Sequence, residues 1–221
     1  MTGYYSEIFF QSKGVRYIAL SDGFDSLGDH NEVAPFKNIL NDMYARDISK
    51  KIKTAKKQRA KQGLFIGSQT PYGYQKDPNN RNRLIVDPTA AETVRLIFSL
   101  AEQGLGYIAI ADDLKRRGID TPSVYKFKQG DTRFKEFTPV KTGSQSDWCD
   151  ATVGSILRNS VYIGELSSLK TEVINYKTSQ QISVPKDRQI VTPNAHEAII
   201  DIAQFERVQQ IRATHSCPAY A

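Results

Sequence analysis

APFKNILNDMYARDISKKIKTAKKQRAKQG, residues 34–63, has no glycine or proline between Pro35 and Gly63, and its second half is filled with good helix formers. Pro35 suits a first helical turn and Gly63 suits the position just past a last one. The spacing predicts one helix across the whole stretch, about 42 Å long at 1.5 Å per residue. Its two halves differ in chemistry. In the first, Phe36, Ile39, Leu40 and Met43 fall at i, i+3, i+4 and i+7, an apolar stripe that calls for a partner surface. In the second, Arg46, Lys50, Lys51, Lys53, Lys56, Lys57, Arg59 and Lys61 face one acid, Asp47, and only Ile48, Ile52 and Ala55 supply a thin apolar seam. So many like charges at i,i+3 and i,i+4 repel one another, and a polyanion lying along the helix would remove that penalty. The plainer alternative is a solvated amphipathic helix packed on its own domain; the shortage of compensating acids favours nucleic acid.

The rest of the composition is consistent with this. The chain has 221 residues, a formal net charge of +6 and a pI near 9.2, with room for one or two domains. No run of about 18 apolar residues is present, so a membrane span is not expected. The opening MTGYYSEIFF lacks the basic start of a signal peptide. Cys149 and Cys217 are too few for a disulfide framework and point to a reducing, cytoplasmic location.

In chain order, Val15 to Leu20 reads as a strand followed by an Asp22-Gly23 turn, and Ser26 to Asn31 as a polar loop. A lone strand is not stable, so it either pairs further along or belongs to a sheet that lies outside this chain. Beyond Gly63, the Gly-, Pro- and Asn-rich run to Pro88 suggests turns around one or two short strands, with Arg83 to Val86 the better candidate. Asp87 then caps a helix with Pro88 in its first turn and Val94, Ile97, Phe98 and Ala101 inward, ended by Gly104. Tyr107 to Arg117 is a second amphipathic helix, and 119–122 an extended connector. Residues 123–146, polar and aperiodic, read as a mobile loop. Ala151 to Asn159 is a third helix. Tyr162 to Glu165 and Glu172 to Tyr176 read as short strands, Ile202 to Arg212 as a last helix, and 214–221 as a frayed tail.

No catalytic set stands out, and no cofactor or metal is implied. His30, His196 and His215 are scattered without metal-ligand spacing, and there is no phosphate-binding glycine loop. Asp112 and Asp113 read as a solvated helix pair. Cys149 reads as a small core residue beside Trp148.

The order of these pieces resembles the middle of a large serine recombinase, a resolvase/invertase-type site-specific recombinase, and nearly the whole chain takes part. GVRYIALSDGFDS (14–26) resembles the last strand of that family's catalytic domain, and residues 34–63 its long connecting helix. PYGY (71–74), LIVDPTAAETVRLIF (84–98), GLGYIAIADDLKRRGIDTP (104–122), Trp148 with TVGSILRNSVYIGEL (152–166), and HEAII (196–200) resemble the recombinase domain in order and approximate spacing. YARDISKKI (44–52) is similar to the transposon branch.

The resemblance implies an α+β chain divided as 1–33, a remnant of the catalytic domain; 34–63, the connecting helix; 64–213, a mixed helical DNA-binding recombinase domain with short strands; and 214–221, a tail. It implies double-stranded DNA as partner. The contacts would come from Arg46, Lys50, Lys51, Lys53, Lys56, Lys57, Arg59 and Lys61 on the helix, Tyr72 in the linker, and Arg81 and Arg83 beyond. A homo-oligomer would form through Phe36, Ile39, Leu40 and Met43. The family's nucleophilic serine has no match, since Ser6 and Ser12 do not sit in its context. The zinc ribbon is also missing, with Cys217 at most its first ligand, and a truncated chain is therefore expected. Lys50 and Lys51 stand where the family usually has Glu-Arg, which replaces a bidentate phosphate clamp by point charges. A stand-alone DNA-binding regulator and a basic protein-interaction module are the alternative readings.

Overall fold

The computed structural model describes residues 5–20, 24–25, 33–137, 147–175, 178 and 180–215. A helical turn at Tyr5–Phe9 runs into Phe10–Ser12, followed by β1 (Ile18–Ala19), β2 (Phe24–Asp25) and α1 (Val33–Lys61). Then come β3 (Tyr74–Lys76), β4 (Leu84–Val86), α2 (Pro88–Glu102), α3 (Tyr107–Arg116), α4 (Pro122–Lys128) and a 3-10 stretch at Thr132–Phe137. The remainder is α5 (Asp150–Leu157), a 3-10 turn at Ser160–Ile163, β5 (Leu166–Ser168), β6 (Thr171–Asn175), β7 (Gln180–Ser183), a 3-10 turn at Lys186–Arg188, β8 (Ile190–Thr192) and α6 (Ile202–His215). The strands pair two by two: β1 with β2, β3 with β4, β5 with β8 and β6 with β7. This is the α+β class that the sequence indicates.

The chain divides into two compact units, residues 1–57 with 173–182, and residues 58–172 with 183–221. In the first, Phe10 stacks on Tyr17 at 5.7 Å and Arg16 pairs with Asp25 across the β1–β2 hairpin. The expected strand over 15–20 is thus only Ile18 and Ala19, paired with Phe24 and Asp25. The first 57 residues contribute no wider sheet among the described residues, and a two-residue ladder is all this hairpin sustains.

The second unit holds the core. Asp87 caps α2, its carboxylate 3.4 Å from the Ala90 amide, with Pro88 in the first turn. Val94, Ile97 and Phe98 are fully buried, together with Ile110 and Leu114 of α3, Val153 and Leu157 of α5, Tyr162 of the 3-10 turn at Ser160–Ile163, and Val208 of α6. Each such apolar side chain contributes about 1.5–3 kcal/mol of transfer free energy. Tyr74 stacks on Tyr162 and donates from its hydroxyl to the Glu197 and Val161 carbonyls at 2.9 and 3.2 Å. Gly73 before it has φ +91°, and a Cβ there would lie 2.9 Å from Ile199 Cδ1, so this position of PYGY takes no side chain.

Several expectations need correction. The aperiodic stretch from 123 is not a loop: α4 and the 3-10 stretch occupy residues 122–137, and 138–146 lie outside the described residues. Pro122 opens α4 behind Thr121, and Tyr125 anchors it on Asp87, so tertiary contact replaces the missing periodicity. Residues 162–165 are not a strand; Asn159 caps a 3-10 turn that Gly164 ends at φ +82°. The strand starts later, at Leu166. Cys149 is exposed at the N-cap position of α5 rather than in the core, while Trp148 is buried and donates from Nε1 to the Ile119 carbonyl at 2.9 Å. Of the expected solvated pair, Asp112 is exposed, whereas Asp113 is half-buried and pairs with Arg116 and Arg117. Helix α6 continues to His215, and Cys217 lies outside the described residues.

Candidate nucleic-acid interface

At 100° per residue, Arg46, Lys50, Lys53 and Lys57 of α1 fall within an arc of about 60°, one cation per turn over about 16 Å. Lys51 and Lys56 point away from this stripe by the same arithmetic. All six are exposed. Asp47 is taken by Lys51, with Nζ at 2.8 Å in an i,i+4 pair that raises the Lys51 pKa. Lys53 donates to the Val173 carbonyl at 2.6 Å, which ties the stripe to β6 within the same unit. The stripe therefore has no acid of its own on α1 between Arg46 and Lys57 other than Asp47, which is already engaged.

Arg59 and Lys61 occupy the last turn of α1, where cations meet the negative end of the helix dipole. Gly63 closes that helix at φ +70°, with its amide bonded to the Ala60 carbonyl and the Leu64 amide to that of Arg59. In the first half of α1 the stripe residues Phe36, Ile39, Leu40 and Met43 are 59, 56, 48 and 62 % exposed.

In the second unit, Arg81 and Arg83 are exposed at the connection between β3 and β4. Their backbone is fixed by turns in which Asp77 Oδ1 accepts from the Asn79 amide at 2.8 Å and the Asn80 carbonyl accepts from the Arg83 amide at 2.8 Å. Tyr72 behaves differently. It is 7 % exposed, edge-on to Tyr125 at 5.7 Å and to Trp148 at 6.1 Å, and burial raises its pKa. Tyr72 is a core side chain beneath the linker rather than part of the surface, so its place among the contact residues is corrected.

The neighbouring Tyr125 hydroxyl lies 2.9 and 3.0 Å from the two oxygens of buried Asp87 and shares its one hydrogen between them, and Gln129 Nε2 adds a second side-chain donor at 3.3 Å. Burial and the adjacent carboxylate push the Tyr125 pKa up to about 12. Lys126, held on the Thr70 carbonyl and over the Phe134 ring, has its pKa lowered by burial. Lys126 thus fastens the segment before Tyr72 at Thr70, while Tyr125 and Gln129 fasten α4 to Asp87. They were missed in sequence because α4 itself was missed; the Thr121-Pro122 start was its one local signal. His196 is structural: its Nε2 lies 2.7 Å from the Val161 carbonyl and its ring is edge-on to Tyr74. Among the described residues no three His, Cys, Asp or Glu side chains gather as a metal set, and no helix is long and apolar enough to cross a membrane.

Residues 88–215, from the first residue of α2 to the last of α6, match the family model described as Recombinase. Among solved structures, an LSR–DNA complex is similar at 19 % identity and a TM-score of 0.45, over 74 % of this chain and 38 % of that one. A structure concerned with the sequence requirements of the Listeria innocua prophage attP site is similar at 19 % identity and a TM-score of 0.46, over 74 % of this chain and 51 % of that one. The present chain thus spans about two fifths and one half of the length of these two.

Proposed function

The chain belongs to the recombinase family, the match covering more than half its length, and we propose that it is the DNA-binding portion of a serine site-specific recombinase of a mobile element. In this reading it serves integration or excision by holding double-stranded DNA. The stripe of Arg46, Lys50, Lys53 and Lys57 carries the reading beyond family membership. Four cations on one helix face match a line of backbone phosphates, and contacts of that kind supply affinity without sequence preference. Arg81 and Arg83, on a loop stiffened by its own turns, supply the donors suited to base edges or a groove rim. Residues 34–63 act as the connecting helix and 64–213 as the recombinase domain. A second copy covers Phe36, Ile39, Leu40 and Met43. No residue of this chain is assigned the cleavage chemistry, so the 221-residue chain is expected to bind duplex without forming a covalent adduct.

The test is a salt titration of duplex binding. Each neutralised phosphate contributes about −0.9 to the slope of log K against log salt. Replacing Arg46, Lys50 and Lys57 with Ala should flatten the slope by roughly two to three for any sequence, whereas replacing Lys51, Lys56 and Arg59 should change it by less than about one. Equal effects from the two triples would refute the stripe, and a salt-insensitive wild type would refute the DNA reading as a whole.

A further inference from the structure

The second unit contains a cleft of about 620 Å³ that neither α1 nor the β3–β4 loop takes part in. Arg158 from the end of α5, Lys170 between β5 and β6, and Lys186 at the start of the 3-10 turn before β8 converge on it. The three are separated in sequence by 12 and 16 positions and meet because β5 pairs with β8 and the Val184 amide bonds to the Lys170 carbonyl at 2.9 Å. All three side chains are exposed, and among the described residues none has a carboxylate within ion-pair distance. One carboxylate lines the cleft, Glu165, which is occupied by the Ser160 hydroxyl at 3.0 Å.

Three amide side chains of the lining are bonded within the fold. Gln189 Nε2 donates to the Val184 carbonyl at 2.7 Å and Gln209 Nε2 to the Leu157 carbonyl at 2.8 Å, while Asn159 Oδ1 accepts from the Val161 amide at 3.3 Å. The Arg158 guanidinium lies over Gly154 beside the Tyr107 ring, where a Cβ on Gly154 would come within 3.1 Å of both. The cleft therefore offers three cations against one engaged carboxylate, and few amides remain available to read a base.

We propose that Arg158, Lys170 and Lys186 form a second seat for the backbone phosphates of double-stranded DNA, independent of the α1 stripe and without sequence preference. The proposal rests on the DNA-binding reading above. Three point contacts of this kind position a duplex and carry no base information. Arg158 is the member able to grip one phosphate with two N–H groups.

The experiment uses the full 221-residue chain and a labelled random-sequence duplex. Replacing Arg158, Lys170 and Lys186 with Ala should flatten the salt slope by about two to three, and weaken binding by at least about tenfold at low salt. The charge-conserving variant Lys170→Arg/Lys186→Arg should keep the wild-type slope. Adding the Arg46/Lys50/Lys57 triple should flatten the slope further by its own full amount, since independent seats add. An unchanged slope in the cleft triple, while the α1 triple loses its share, would overturn the cleft and leave the function standing. A weakened affinity with the wild-type slope, or loss in the Lys→Arg variant, would also overturn it, because the residues would then act through the fold. A duplex that binds wild type without salt dependence would overturn both.

Discussion

Helices α1 and α2 are both long and uninterrupted, yet they are stabilised by opposite means. Seven residues of α2 are buried, and its apolar positions recur at the helical period against α3, α5 and α6. From Ile39 to Arg59 every described side chain of α1 is exposed except half-buried Ser49. One helix is held by what it buries, and the other mainly by backbone propensity, with the Lys51–Asp47 pair and the Lys53–Val173 bond as local supports against its like charges. The exposed face of α1 is a line of cations, whereas most of α2 faces the core and its exposed positions, among them Glu92 and Arg95, are of mixed charge.

The contrast can be broken at the core. Phe98→Ala should cost about 3–5 kcal/mol in a denaturant titration, because it empties a fully buried site. Ile52→Ala, on a residue of similar chemistry but 51 % exposed, should stay within about 0.5 kcal/mol. Comparable losses would mean that α1 is covered after all.

A smaller effect is expected where the core meets its polar supports. Tyr125→Phe leaves Asp87 buried with one fewer donor and should destabilise by about 1.5–3 kcal/mol, the range for a hydrogen bond to a charged group. A loss below about 0.5 kcal/mol would mean that α4 is not fastened through this contact.

On α1 the sign should reverse. Lys50→Gln with Lys57→Gln removes like-charge neighbours at i,i+3 and i,i+4, each pair worth about 0.2–0.5 kcal/mol, so helicity by circular dichroism should rise at low salt and match wild type in high salt. A fall in helicity would show that the lysines stabilise α1 in the free protein.

The smallest expected effect is on pH dependence. Burial holds the His196 pKa below its ordinary 6.5, outweighing the opposing hydrogen bond to Val161. The unfolded chain therefore binds the proton first, and the neutral ring contributes stability above pH 6.5 that is lost as pH falls through the lower folded value. His196→Gln should remove that part of the acid sensitivity in thermal melts; an unchanged pH profile would place it elsewhere.

How legible all this was depends on the range of the interactions involved. Helices α1, α2, α3 and α6 could be read because their signals lie within a few residues: Asp87-Pro88 as cap and first turn, Gly104 and Gly63 as stops, Val94, Ile97 and Phe98 at one period. The lysine-rich half of α1 was equally plain, since neighbouring charges on a helix are fixed by spacing alone. Helix α4 was not legible. Its seven residues carry no apolar period, and it is fastened by Tyr125 to a carboxylate 38 positions away. For the same reason Cys149 and Tyr72 were misplaced, one a small residue assigned to the core and the other an aromatic assigned to the surface. Neither burial is a local property.

The amino-acid sequence by itself determined the basic helix and the capped core helix, because propensity, capping and periodicity act over one or two turns; the likeness to serine recombinases, and the α+β class it implies, came from the order of matching motifs along the chain. Only the tertiary structure decided that Lys53 has the Val173 carbonyl beside it, that Tyr72 is buried, and that Arg158, Lys170 and Lys186 share a cleft. Those juxtapositions follow from strand pairing and core packing between segments far apart in the chain. No window of sequence contains both partners.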